Sequence, residues 1–404
     1  MLRNPDYVTA RRLLLDAVEP VGREFCALER CGGRLLGRNL TAAENIPPFD
    51  RSPYDGYALR AADTAGASRE VPVTLRVLEE VAAGAVPSVG VTPGTAVKVL
   101  TGAPIPAGAD AVINYERTTF TPETVTLFAP LRAGANIVRT GEDVRAGTLL
   151  ARAGDKIDPG TAGALAAQGV TLPEVYRVSR IGLISTGDEL VEAGGTPGPG
   201  QIRNSNRHTL EAALAMLNCR CIYLGTARDT AEAILGLLQR GLAECDGVLL
   251  TGGVSAGDYD RTPDAMELAG VEMLFRGVDM KPGMACAYGV FQGKPVCGLS
   301  GNPASAFTNF CVLALPALRR RMGYRQPLPP RIRVALSRDF PKKSPSPRFL
   351  RGTLDLTDGA ARLVLPEDQG NVVLRSTIGC NVLAEVPAGS GPLASGTVLE
   401  GFML

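Results

Sequence analysis

The best candidates for chemistry in this 404-residue sequence fall in three short runs. They are Ser185-Thr186-Gly187-Asp188-Glu189, Thr251-Gly252-Gly253-Val254-Ser255-Ala256-Gly257-Asp258-Tyr259-Asp260 and Leu299-Ser300-Gly301-Asn302-Pro303-Ala304-Ser305. Glycines such as Gly252 and Gly253 let successive backbone N–H groups converge on an anion, where a side chain would block its approach. Asn302 suits a helix N-cap and Pro303 the first helical position, so free amides and the positive helix end face outward there. Asp188, Glu189, Asp258 and Asp260 offer the hard oxygen donors that Mg2+ takes. A phosphorylated ligand held with a divalent cation is the chemistry this combination suits. Thr186, Gly252, Gly253, Ser255, Ser300, Asn302, Pro303 and Ser305 are the candidate ligand-binding residues, and the four acids are the candidate metal ligands.

Other chemistries are narrowed by what is missing. His208 is the single histidine, which excludes multi-histidine metal sites. No G-x-S-x-G elbow accompanies it, so a surface role at a helix start is expected. The nine cysteines are scattered, odd in number and without Cys-x-x-Cys, which points to reduced thiols rather than disulfides or a zinc ribbon. Catalysis must rest on carboxylates, Lys/Arg, hydroxyls and backbone amides.

The three runs require a scaffold that brings them to one edge. Apolar stretches at Ile181–Ile184, Val248–Leu250, Val271–Leu274 and Val296–Leu299 read as buried strands. Between them Leu210, Ala213, Leu214, Leu217 and then Ala231, Ile234, Leu235, Leu238, Leu242 follow helical spacing. Alternating strands and helices predict a mostly parallel sheet covered on both faces, with ligands bound at the carboxyl ends of its strands. Taken singly, a glycine-rich turn or an acidic pair has a plain structural explanation. Three such loops at one sheet edge define a site.

The chain divides into further regions around this sheet, and the fold class is α/β multidomain. Residues 1–45 read as helical, with Leu13, Leu14 and Val18 on one side, and form the first part of an elongated helical/mixed domain. Residues 46–143, with runs such as VPVTLRVL and GTAVKVL between Gly and Pro, form an inserted β-rich domain. Residues 144–177 return to a helical pattern, with Pro159 near the start and Gly169 near the stop, and complete the elongated domain. The α/β domain spans 178–325, and a small all-β domain spans 326–404, where Ile332, Val334 and Leu336 alternate.

The net charge of +1 supplies no field for a nucleic acid backbone. The start of the chain lacks the apolar run of a signal peptide and no stretch suits a bilayer span, so a cytoplasmic protein is expected. Four further segments stand out. PPFDRSPYDGYALR and TGAPIP read by composition as a linker and a turn. Met280-Lys281-Pro282-Gly283 places a cation before a strand, and Pro341 to Arg348 is a basic, proline-rich exposed linker whose charges have the reach to meet an anion.

In these residues the chain resembles the molybdopterin molybdenumtransferase family (MoeA and the gephyrin E domain). The matching stretches are PPFDRSPYDGYALR, TGAPIPAGADAVINYE, RTGEDVRAG, GLISTGDEL, GQIRNSNRHTL, TGGVSAGDYD, MKPG and LSGNPASAF, in order along nearly the whole chain. The resemblance implies a molybdopterin-binding type sheet domain and a homodimer with the active site in a cleft completed by the partner. It implies insertion of molybdate into adenylylated molybdopterin with release of AMP and use of Mg2+, and pterin adenylyltransferase and acceptor molybdoenzymes as further partners. Carried over by position, Asp55, Thr101, Asp143, Glu189, Asp229, Asp260 and Lys281 match catalytic positions, and Arg351 a binding position in the tail.

The chain departs from the commoner family pattern at Met284 and Ala285, where a second lysine and a proline are usual. It departs also at Ser300, Thr251, Arg51, Tyr54 and Asn371. The alternatives are a non-catalytic scaffold of the gephyrin E-domain type and a molybdopterin adenylyltransferase. The acids retained at Asp55, Glu189, Asp229 and Asp260 weigh against the first, and Val254-Ser255 and the flanking domains against the second.

Overall fold

A computed structural model describes residues 1–254, 261–357 and 359–404. The chain forms two compact units: one comprises residues 1–38, 153–158 and 172–404, the other residues 39–152 and 159–171.

The first unit is built on a seven-stranded sheet. Its strands run in the order Leu2–Arg3, Glu272–Arg276, Ala287–Phe291, Lys294–Leu299, Gly247–Thr251, Arg180–Thr186, Arg220–Ala227. The sheet is mostly parallel, as expected, with Ala287–Phe291 antiparallel to both its neighbours. Because successive strand side chains point to opposite faces, Leu183, Leu249 and Cys297 enter one core while Ile184, Val248, Leu250 and Val296 enter the other. Leu210 and Leu214 of helix Ser205–Met216 close the first face, and Ile234, Leu238 and Leu242 of helix Ala231–Glu244 close the second.

The N-terminal segment departs from the expected boundaries. The one α-helix within residues 1–45 is Tyr7–Ala17, capped by Asp6, which accepts from the N–H groups of Val8 and Thr9, and a single 3-10 turn follows at Leu28–Arg30. Pro20, Gly22 and the Gly32-Gly33 pair end helical continuity, and short strands come after them. Leu2–Arg3 pairs parallel with Phe275 and Arg276, and Leu14 and Val18 enter the sheet's core. The first 18 residues thus join the sheet, while Arg23–Phe25 pairs with Glu174–Tyr176 in a separate two-stranded sheet of the same unit. Residues 331–403 of the same unit form a closed five-stranded barrel around Val334, Leu350, Leu363 and Val382.

The second unit holds the β-rich module as a six-stranded sheet, with core residues on both faces of strand Gly56–Leu59. Helix Pro159–Ala167 starts at the expected proline, and Gly169 lies just beyond it with φ +68°. All nine cysteines are free.

Candidate functional site

The strands Arg180–Thr186, Gly247–Thr251 and Lys294–Leu299 are mutually parallel neighbours, so the loops after them open at one edge. A crevice of about 590 Å3 lies there, lined by Thr186, Glu189, Asp229, Gly252, Gly253 and Ser300 among others. The glycines are sterically required. Gly252 has φ +102°, and a Cβ there would lie 2.5 Å from both the carbonyl and the hydroxyl oxygen of Thr186. At Gly253, φ +62°, a Cβ would meet the Thr262 hydroxyl at 2.8 Å.

The crevice wall is knitted by hydrogen bonds between loops. The Asn206 amide donates to the Thr251 hydroxyl and to the Gly301 carbonyl. The Asn204 amide donates to the buried Ser185 hydroxyl at 2.8 Å, while its carbonyl caps helix Ser205–Met216 by accepting from the Arg207 N–H. Arg203 is the only cation among the described lining residues, against the carboxylates of Glu189 and Asp229. Asn302 occupies the N-cap position with Pro303 next in the chain, but its side chain makes no cap bond. Both residues line the crevice.

A second cavity, of about 400 Å3, adjoins the first. Lys281, Lys342 and Arg348 line it with Ser305, Gln369 and Asn371, and no carboxylate is among its described lining residues. Backbone pairing sets the cations together: the Lys281 N–H donates to the Pro347 carbonyl, and the Phe349 N–H to the Lys281 carbonyl, each at 2.8 Å. The Arg348 Nε donates to Ser344 Oγ at 3.1 Å, and burial lowers its pKa. Met284, 52% exposed, also lines this cavity. Ala285, Ser300 and Asn302 are walls of both cavities.

Other expected residues lie elsewhere. Arg351 lines neither cavity, since its side chain is wholly buried, with Nε donating to Ser376 Oγ and Nη2 to the Gly370 carbonyl. Asp188 is exposed beside the crevice but does not line it. Ser255, Asp258 and Asp260 lie outside the described residues. His208 pairs with Glu211 at 3.0 Å on its own helix, which is the surface role expected.

Asp55, Thr101 and Asp143 belong to the second unit. There the Thr101 N–H and hydroxyl both donate to Asp55 Oδ1 at 2.7 Å, and these bonds hold the carboxyl below its usual range. Asp143 is exposed, and its N–H donates to the Ile46 carbonyl. The PPFDRSPYDGYALR segment is no linker: it contains the fully buried strand Gly56–Leu59, and Asp50 binds Arg139 and Thr140.

Asn204, Asn206 and Gln369 lie outside the expected site residues, although the first two fall in the family-matching stretch GQIRNSNRHTL. The Pro341–Arg348 run, expected as an exposed linker with reach to an anion, bears two cations of the second cavity.

A crevice thus opens at the carboxyl edge of a mostly parallel α/β sheet, the edge at which such sheets take ligands, with a cavity lined by three cations beside it. Residues 6–169 match the MoeA N-terminal region (domain I and II), 182–320 a probable molybdopterin binding domain, and 333–401 the MoeA C-terminal region (domain IV). A molybdopterin molybdenumtransferase of Staphylococcus aureus (strain COL) is 33% identical over 93% of this chain and 89% of its own length. One of Bacillus subtilis (strain 168) is 34% identical over the same shares. The crystal structure of the molybdopterin biosynthesis MoeA protein from Pyrococcus horikoshii OT3 superposes with a TM-score of 0.87 at 31% identity, covering 99% of this chain and all of that one. The chain belongs to the molybdopterin molybdenumtransferase (MoeA) family, which makes it a transferase of molybdenum cofactor biosynthesis.

Proposed function

We propose that the chain inserts molybdate into the dithiolene of adenylylated molybdopterin and releases AMP. The phosphate-bearing end occupies the crevice at Thr186, Gly252 and Gly253, and the oxyanion occupies the cavity of Lys281, Lys342 and Arg348. The observation that carries this reading is the shared wall of Ala285, Ser300 and Asn302, which sets an anion cavity directly beside a nucleotide-sized crevice. Molybdate is a tetrahedral dianion, and three cations with hydroxyl and amide donors suit it through charge-assisted hydrogen bonds.

Mg2+ fits the first cavity. Glu189 and Asp229, on a wall that holds a single described cation, would offer it two hard oxygen donors. Asp188, exposed beside them, and Asp258 and Asp260 are further proposed ligands. Held by these residues, Mg2+ would supply Lewis-acid polarisation of the phosphoanhydride. The chain's own part is to orient the substrate: the Gly252–Gly253 turn presents backbone to the phosphates, and Asn206 holds the opposing loops in register.

Asp55, Thr101, Asp143 and Asp260 complete the proposed catalytic set, with a homodimer as the working unit and the cytoplasm as its location. No described helix is long and apolar enough to cross a membrane.

An assay with adenylylated molybdopterin, molybdate and Mg2+ tests the proposal. Cofactor and AMP appear together if it holds, and removal of Mg2+ by a chelator stops both. Ligand binding without turnover favours a scaffold, and sedimentation as a monomer with full activity rules out the dimeric site.

A further inference from the structure

Tyr288 belongs to the apolar core with Met280, Cys286 and Phe310, and Asn309 is buried as completely. The Tyr288 hydroxyl donates to Asn309 Oδ1, and Asn309 Nδ2 donates to the Gly283 carbonyl at 2.8 Å. Apolar groups of the same shape would pack there at little or no loss, so a fully paired polar set marks a constraint. The constraint falls on the loop of the cationic cavity, whose wall includes Lys281, Gly283 and Met284. That loop lies directly on helix Pro303–Asn309. A Cβ on Gly283, which has φ +103°, would come within 3.2 Å of Asn309 Cβ and of the Ser305 carbonyl oxygen. Immediately after Asn309 the helix widens into a π turn over Phe310–Ala314, an irregularity found frequently at functional sites.

The Gly283–Met284 peptide bond is trans, so its carbonyl and its N–H point in opposite directions. With the carbonyl drawn inward to Asn309, the Met284 N–H is turned away from the core. It donates to no group among the described residues, although the Met284 carbonyl accepts from the Val278 N–H at 3.0 Å. The thioether of Met284 brings no charge to the cavity, whereas a backbone N–H makes a charge-assisted hydrogen bond to an oxyanion. We propose that Asn309 is a positioning residue for the oxyanion: from behind the cavity it fixes the Gly283–Met284 peptide so that the Met284 N–H faces the anion. The proposal rests on the reading of this cavity as the molybdate site. It explains why an amide and a hydroxyl are kept in a core that apolar side chains would fill.

Molybdate alone is the probe, titrated by calorimetry against the full-length chain, with molybdate KM and kcat measured in parallel. The same titration is followed by NMR in chain isotopically labelled at the methionine nitrogens. The Met284 amide resonance, assigned by its loss in Met284→Leu, is expected to move with molybdate in the wild type and to stay still in Asn309→Leu. Asn309→Leu is expected to raise molybdate Kd and KM about tenfold, the size of one hydrogen bond to a charged group, with kcat recovered at saturating molybdate. Tyr288→Phe leaves Asn309 with one partner fewer and should raise Kd about two- to threefold. It decides the matter if Asn309→Leu does not fold. A merely structural asparagine would lower the melting temperature and leave both Kd and the movement of the Met284 resonance unchanged. That result in folded Asn309→Leu, or wild-type Kd in Tyr288→Phe where Asn309→Leu does not fold, overturns the proposal. So does a wild-type Met284 resonance that molybdate leaves in place while Lys281→Ala weakens binding. If Lys281→Ala leaves Kd unchanged, the cavity assignment itself is wrong.

Discussion

The side-chain amide of Asn206 donates to the Thr251 hydroxyl at 2.9 Å. Its second bond, to the Gly301 carbonyl at 2.8 Å, makes one side chain the tie between two loops that leave separate strands. Asn206→Ala is therefore expected to cost about 1–2 kcal/mol in urea unfolding. It should also lower kcat/KM for the adenylylated substrate at least about tenfold, since small misplacements of a bound substrate are expensive. Unchanged kinetics would show that the crevice keeps its shape without the tie.

Gly252→Ala should be among the most damaging single substitutions. The new methyl meets two oxygens of Thr186 at 2.5 Å while the backbone stays at φ +102°. A loss of about 2–4 kcal/mol is expected from strain and overpacking together. Denaturant titration reads it directly, and a Gly84→Ala control, also at positive φ but with open space around it, separates the clash from the strain.

Met284→Lys tests the electrostatics of the second cavity. Met284 is half exposed on a wall already lined by Lys281, Lys342 and Arg348. Another ammonium there should tighten molybdate binding about three- to tenfold at low salt, and the gain should shrink as ionic strength rises. Calorimetry at two salt concentrations distinguishes this from a packing effect, which salt would not change.

Acid stability should depend on Asp246, which is 5% exposed. Burial pushes its carboxyl up, but hydrogen bonds from the Arg177 side chain and the Arg180 N–H and the nearby Arg321 charge outweigh it, so the net shift is downward. A depressed carboxylate contributes stability that is complete above its unfolded pKa, near 3.8, and is lost as pH falls through the lower folded value. Asp246→Asn should cost about 1–3 kcal/mol at pH 7, discounted because Arg177 is 36% exposed. It should also flatten the stability profile below pH 4. A variant as acid-sensitive as the wild type would place the effect on other carboxylates.

Much of the crevice is legible in the sequence because buried parallel strands advertise themselves as short apolar runs, and the loops that leave their carboxyl ends share an edge. Thr186, Gly252, Gly253, Ser300 and Asn302 meet for that reason. The second cavity is harder to read. Lys342 and Arg348 lie about sixty residues beyond Lys281, in a separate barrel whose docking has no local signal. Arg348 and Arg351 are three positions apart on strand Arg348–Asp355, an odd spacing that sends them to opposite faces, and only the barrel's register says which one reaches solvent. The N-terminal region differs from its helical expectation because its segments carry little periodicity of their own. Their place is set by strand pairing with residues far along the chain.

That pairing has a cost during synthesis. The strand at Leu2–Arg3 has no neighbour until Glu272–Arg276 has left the ribosome, and helix Tyr7–Ala17 packs on a core that includes Leu299 and Phe310. At translation speeds of about 5–20 residues per second, the first segment waits roughly 14–55 s with Leu14 and Val18 uncovered. Residues 39–171, which supply the whole of the other unit, are made well within that interval. The molecule is thus assembled with its beginning held open for its end, and nascent chains stalled before about residue 300 should be the ones that engage chaperones and proteases.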